Sequence, residues 1–137
     1  MKPAPCPCGS TTPESRCCAP AIDGGVRPAS AEALMRSRYT AYVRRDEAYL
    51  LSTWHVSTRP VPPLFDTTPL PKWIGLEVRR HRQIDATHAE VEFIARYRVG
   101  GRAHRLHETS RFVLEDGHWF YVDGDMHDTD MRPEAPL

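Results

Sequence analysis

The four cysteines of this chain sit within one short segment, as Cys6-Pro7-Cys8 and then the adjacent pair Cys17-Cys18, and they are the residues best suited to chemistry. Between the pairs lie eight residues that include the turn formers Gly9, Ser10 and Pro13. Such a loop folds back and aims four sulfurs at one point. Tetrahedral zinc accepts four thiolates at Zn–S distances of about 2.3 Å, and a shell closed in this way leaves no position for a reactive water. The expected role is therefore structural or recognition rather than catalytic. A disulfide reading is weaker, because the neighbouring Cys17 and Cys18 would make a strained mutual bond and the spacing is not Cys-x-x-Cys. Four thiolates around a divalent ion leave net negative charge, which turn N–H groups and Arg16 in the outer shell would offset. Gly9 would let the backbone approach the sulfurs. A loop this short has almost no core, so metal binding of ~10 kcal/mol or more would supply most of its folding energy, and chelation should unfold it.

A second candidate lies in the stretch from Ala103 to Glu115, where alternation puts His104, Leu106, Glu108, Ser110, Phe112 and Leu114 on one side. If the Leu and Phe side faces the core, Glu108 and Ser110 point into an apolar interior. A carboxylate there needs a partner or a raised pKa. Arg36 or Arg38 would supply that partner, and Tyr39, Trp54, Tyr97 and Tyr121 would line the space. Two uses follow: a general acid or base, with His55 as a further catalytic candidate, or a structural ion pair that holds helix to sheet. The structural use is favoured, and His55 is read as a cation placed at a helix end.

These groups require elements to carry them. Ser30 is a good helix N-cap, Glu32 suits a first turn, and Leu34, Met35, Tyr39, Tyr42 and Val43 recur at helical spacing, with Arg36, Ser37, Thr40 and Arg44 on the opposite side. Asp46 would cap a second, short helix whose apolar face runs through Tyr49, Leu50 and Trp54. Residues 19 to 28 read as a linker interrupted by Pro20, Gly24, Gly25 and Pro28, and the prolines of residues 56 to 71 demand an irregular loop. Four strands follow, at 73–82, 89–99, 103–115 and 118–123, joined in part by the hairpin turns Gly100-Gly101 and Asp116-Gly117. Helices followed by a run of antiparallel strands predict an α+β domain with helices covering one face of a curved sheet.

Length suits one domain with a small appendage. Hydrophobic residues make up 40% and charged residues 26% with no net charge, so bulk charge gives no argument for nucleic acid or a membrane surface. No signal peptide or membrane-spanning run is read in the sequence, and a cytoplasmic location is expected, where thiols stay reduced. The run Asp123 to Asp130 has its glycine misplaced for a calcium loop. Arg79-Arg80-His81-Arg82, a short basic patch near Trp73, could track phosphates, and charge protecting an exposed strand edge explains it as well.

Two resemblances add to this reading. Cys6-Pro7-Cys8-Gly9-Ser10 followed by Cys17-Cys18 resembles the SEC-C motif at the carboxyl end of the bacterial translocation motor SecA. Where such motifs usually carry lysines, this loop has residues such as Thr11, Glu14 and Arg16, so the basic surface that would imply binding to the export chaperone SecB is lacking. Across the body, Leu34-Met35-Arg36-Ser37-Arg38-Tyr39, Thr53-Trp54-His55, Trp73-Ile74-Gly75-Leu76, Ser110-Arg111-Phe112 and Gly117-His118-Trp119 resemble the uncharacterised bacterial YchJ family. That resemblance implies an SEC-C motif joined to a domain similar to nuclear transport factor 2 and cystatin, in which helices close a cone-shaped sheet. The expected division is a zinc knuckle at 1–25, the α+β domain at 26–130 and a tail at 131–137. The expected function is a protein-interaction or small-ligand-binding module, with a protein partner on the knuckle, a small ligand in the cone and pairing into a dimer open. The alternative is a cofactor-independent enzyme of hydrolase, isomerase or dehydratase type that uses Glu108.

Overall fold

A computed structural model describes residues 5–65 and 69–127. The expected tail at 131–137, the domain boundary at 130 and the end of the acidic run lie outside the described residues.

The longest helix, α2 (Ala31–Arg44), starts where Ser30 Oγ accepts the Ala33 N–H at 3.1 Å. It stops at Arg45, which takes the left-handed conformation with φ 59° and turns its N–H back onto the Ala41 and Tyr42 carbonyls. Asp46 then opens α3 (Glu47–Ser52) by accepting the Tyr49 N–H at 3.1 Å. Both predicted caps are present. An unpredicted helix, α1 (Ala19–Ile22), occupies part of the expected linker. Pro20 does not prevent it, because a proline in the first turn gives up an N–H that has no helical partner anyway.

The sheet is an antiparallel meander of β1 (Lys72–Gln83), β2 (His88–Val99), β3 (Arg102–Glu115) and β4 (His118–Met126), paired in that order. Register shifts at Trp73/Gly75, Val78/Arg80 and Arg111/Phe112 mark irregularities in the ladders, the device by which a sheet bends around helices. All four strands agree with the predicted ones to within a few residues. Between α3 and the irregular loop, Thr53 to His55 adds a single parallel bridge beside β4: Tyr121 N–H donates to Thr53 O at 2.9 Å and His55 N–H to Tyr121 O at 2.7 Å. Trp54 therefore does not extend the helix, as its spacing suggested. It covers part of the β4 edge.

The core lies between α2, α3 and the concave face of the sheet, with Leu34, Met35, Tyr39, Leu50, Val91, Phe93, Leu106, Phe112 and Tyr121 buried. The expected outer side of α2 is a correction: Ser37 and Thr40 are buried, whereas Val43 is 37% exposed. Ser37 Oγ meets Tyr49 Oη at 2.6 Å across to α3, and Thr40 Oγ1 lies 3.6 Å from Cys6 Sγ. The helix is covered on that side by the cysteine segment, so Cys6, Cys8 and Cys18 belong to the same hydrophobic cluster as the core.

Candidate metal centre and cone interior

The sulfurs of Cys6, Cys8, Cys17 and Cys18 all lie within 4.8 Å of one another. Cys8 Sγ is 3.5 Å from Cys17 Sγ, and Cys17 Sγ is 3.9 Å from Cys18 Sγ. A disulfide would bring two of them to about 2.05 Å. A tetrahedron with Zn–S of about 2.3 Å has sulfur-to-sulfur edges of about 3.8 Å, so the separations are those of a ligand shell. Ser10 Oγ lies 3.0 Å from Cys17 Sγ, and the Gly9 N–H turns back to Cys6 O at 3.2 Å. Hydrogen bonding from Cys18 is the largest influence that holds the Cys8 thiol down at about 4, while the same contact, followed by burial, drives Cys18 well above the usual thiol range. Crowded thiols that force one thiolate on their neighbours are a donor set in want of a cation.

Local chain geometry explains the convergence. Gly9 takes φ 82°, and a Cβ there would lie 2.8 Å from the Leu76 carbonyl oxygen of β1. Glycine therefore serves the docking of the loop on the sheet as much as its turn. Arg36 Nη1 donates to Cys8 O at 2.8 Å while its Nε pairs with Glu32 at 3.1 Å. Burial lowers the Arg36 pKa, but Glu32 and the Cys8 sulfur outweigh it and the net shift is upward. The arginine bonded to the cysteine segment is thus Arg36, whereas Arg16, the expected one, is exposed. Nothing local in the sequence pointed to this, because Arg36 and Cys8 are 28 positions apart. Arg44 ties the same segment down through Glu14 at 2.8 Å and Asp23 at 2.9 Å.

Arg36 is consequently not a cone residue. Arg38 is: it is fully buried, its guanidinium carbon 4.9 Å from the Trp54 ring centroid and 4.6 Å from that of Tyr121. Its Nη1 donates to Leu50 O and Thr53 Oγ1, each at 2.8 Å. Burial lowers the Arg38 pKa, partly countered by the electron-rich groups of Tyr42, Tyr121, Tyr49 and Glu108. Glu108 faces the same space. One of its oxygens accepts from Ser110 Oγ at 2.6 Å and from Tyr121 Oη at 3.3 Å. Burial and then the Glu108 charge push the Tyr121 hydroxyl pKa far up. The carboxylate also lies against β4, where a Cβ on Gly124 would come within 2.1 Å of Glu108 Oε2.

Arg38, Trp54, Glu108, Ser110 and Tyr121 therefore stand together in the cone. Tyr39 and Tyr97 are elsewhere in the cone, grouped around Trp73 with ring centroids at 6.0 and 5.2 Å. Tyr97 pairs with His104, four residues along β3 from Glu108, which is about 13 Å of strand. His55 stands three residues past the end of α3, away from Glu108, and bridges Glu115 through Nε2 at 2.8 Å and Ser57 Oγ through Nδ1 at 2.7 Å. These residues line a shallow cleft of about 300 Å³ together with His88 and Arg111.

Residues 30–124 match the family model described as the YchJ middle NTF2-like domain. The chain belongs to the YchJ family. A UPF0225 protein from Ralstonia nicotianae is 56% identical over 90% of this chain and 94% of its own length, and one from Xanthomonas campestris pv. campestris is 51% identical over 87% and 92%. Among solved structures, a SEC-C motif containing protein from Rhodopseudomonas palustris superposes with a TM-score of 0.80 at 34% identity, covering 91% of this chain and all of that one. A second, from Psychrobacter arcticus, gives 0.75 at 27% identity over 93% and 85%. The YchJ family accordingly has the expected architecture here: a cysteine cluster compatible with metal binding, docked on helices that cover a curved four-stranded sheet. No described helix is long and apolar enough to cross a membrane.

Proposed function

We propose that Cys6, Cys8, Cys17 and Cys18 hold one zinc ion and that the protein acts as a recognition module, binding a protein partner or a small ligand rather than turning over a substrate at the metal. The observation that supports this most is the mutual approach of four sulfurs at tetrahedral spacing on a segment seated against α2 and β1. Four thiolates complete the coordination of zinc, and the ion then lacks the open position that hydrolytic chemistry needs. Its work is to hold a shape. That shape includes the outer surface of the loop, which carries Ser10, Thr11, Thr12 and Arg16 and is the face offered to a partner.

In the cone, a fully buried Glu108 already hydrogen-bonded by Ser110 and Tyr121 favours the structural role over the catalytic one. A cytoplasmic location accompanies the zinc reading, since thiolate ligands persist where thiols stay reduced. Elemental analysis of protein purified under reducing conditions tests the reading. One zinc per chain, lost together with Cys8→Ser, is the expected result. Protein that folds fully and carries no metal would refute it. Capture experiments with and without residues 1–25 then ask whether the knuckle is the partner-binding face.

A further inference from the structure

The segment that leaves the cysteines meets α3 around a cleft of about 420 Å³, within the size range of small-molecule sites. Ile22, Pro28 and Ala48 supply apolar wall, and Arg27 and Asp46 supply one charge of each sign. Arg27 has its guanidinium carbon 5.2 Å from the centroid of the Phe120 ring, a cation–π contact that holds it in place. Its Nη2 makes one long bond, 3.4 Å to Trp119 O, and its buried Nε has no hydrogen-bond partner among the described residues. An arginine held in a cleft wall with donors unspent is prepared for a carboxylate. Asp46 uses Oδ1 to cap α3 and is fixed by that bond.

A simple carboxylic acid in this cleft would satisfy Arg27 but bring like charge to Asp46, and a simple amine would do the reverse. A molecule that carries both charges on neighbouring atoms and an apolar tail satisfies every wall. We propose that this cleft binds a small free amino acid with an apolar side chain, its carboxylate on Arg27, its ammonium toward Asp46 and its side chain against Ile22, Pro28 and Ala48. This deepens the recognition reading by naming a ligand class, and it does not depend on the metal.

The test is an NMR titration of the isotope-labelled full chain, with metal content measured on the same sample, using leucine, N-acetylleucine and leucinamide. Leucine is expected to give saturable shifts at Ala48, Ser52 and the Trp119 indole, with each blocked analogue at least ~10-fold weaker because one charge-assisted contact is lost. Asp46→Asn keeps a good N-cap while removing the charge, so it should weaken leucine and, by lifting the like-charge repulsion, bind N-acetylleucine no more weakly than the parent does. Arg27→Met should weaken both, and should that variant misfold, the analogues and Asp46→Asn still decide. The proposal is overturned if leucine gives no saturable shift at these residues, if N-acetylleucine binds as tightly as leucine, or if Asp46→Asn changes nothing. Metal-bearing protein that ignores leucine refutes the cleft alone, and metal-free protein that binds leucine refutes the zinc reading alone.

Discussion

Replacing Gly124 with alanine is the sharpest probe of the cone interior. The added Cβ would meet Glu108 Oε2 at 2.1 Å, Cδ at 2.7 Å and Cγ at 2.9 Å, all closer than side-chain atoms can stand. Either β4 moves or the carboxylate does. Moving the carboxylate costs its bond to Ser110 Oγ, now 2.6 Å, and its contact with Tyr121 Oη. Overpacking a full core costs about 1–3 kcal/mol. Losing a buried hydrogen bond to a charged group costs about 1.5–3 kcal/mol more. The expected destabilisation is therefore about 2.5–6 kcal/mol, read as a fall in Tm of about 10–25 °C for a chain of this size. Urea and thermal unfolding would measure it. Gly75→Ala is the control, because a Cβ there meets nothing within 4 Å and should change stability by no more than ~0.5 kcal/mol. Glu108→Asp shortens the clashing side chain by one methylene, so in the Gly124→Ala background it should recover a large part of the loss instead of adding to it. A Gly124→Ala protein as stable as its parent, or strictly additive single and double variants, would refute the packing of Glu108 on β4.

Other expectations concern the cluster, its support and the tyrosines. Chelation, or Cys8→Ser, should unfold residues 5–25 and also loosen α2, because Cys6 packs on Thr40 and Arg36 holds Cys8 O; hydrogen exchange of the α2 amides reads this out, and unchanged protection there would show that the segments are independent. Arg36→Met should lower zinc affinity by about 10–100-fold while leaving the sheet intact, measured by competition with a chromophoric chelator, and an unchanged affinity would remove Arg36 from the outer shell. Burial raises the pKa of Tyr39 and Tyr42 to about 12. Their protons are held more tightly in the folded chain than in the unfolded one, so their stabilisation is complete below about pH 10 and falls between about pH 10 and 12, at about 1.4 kcal/mol per pH unit for each. Tyrosinate absorbance should accordingly rise together with loss of structure, and a rise at pH 10 in still-folded protein would contradict their burial.

Legibility followed range. Features set by neighbours in sequence were readable: the caps at Ser30 and Asp46, the alternation that buries Leu106, Glu108, Ser110 and Phe112, and the four cysteines, whose spacing alone implied convergence. Features set by what packs on an element were not. Ser37 and Thr40 have the polarity of a solvent face, and only the cysteine segment lying across α2 makes that face interior. Arg36 and Arg38 are two positions apart, so a helix must send them to different sides; whether a given arginine meets a sulfur or a carboxylate depends on the partner surface, which the periodicity does not contain. Trp54 has helical spacing from Leu50, yet the backbone groups around it found a better partner in Tyr121 of β4.

The same contacts bear on what an ion held by the four sulfurs would do for the molecule. An independent knuckle on a flexible linker would be expected to have its own turn glycine, its own counter-charge and few bonds to the body. Here Gly9 is needed for contact with Leu76 of β1, the counter-charge comes from Arg36 of α2, and Cys6 packs on Thr40 of the same helix. Beyond the local contact of Ser10 with Cys17, the support of the sulfur cluster comes from the domain that carries the cone. Free energy released by binding an ion to the four sulfurs is then shared with the seating of α2 on the sheet. Since α2 also carries Arg38 into the cone beside Glu108, loading of the cluster and order of the cone interior should rise and fall together.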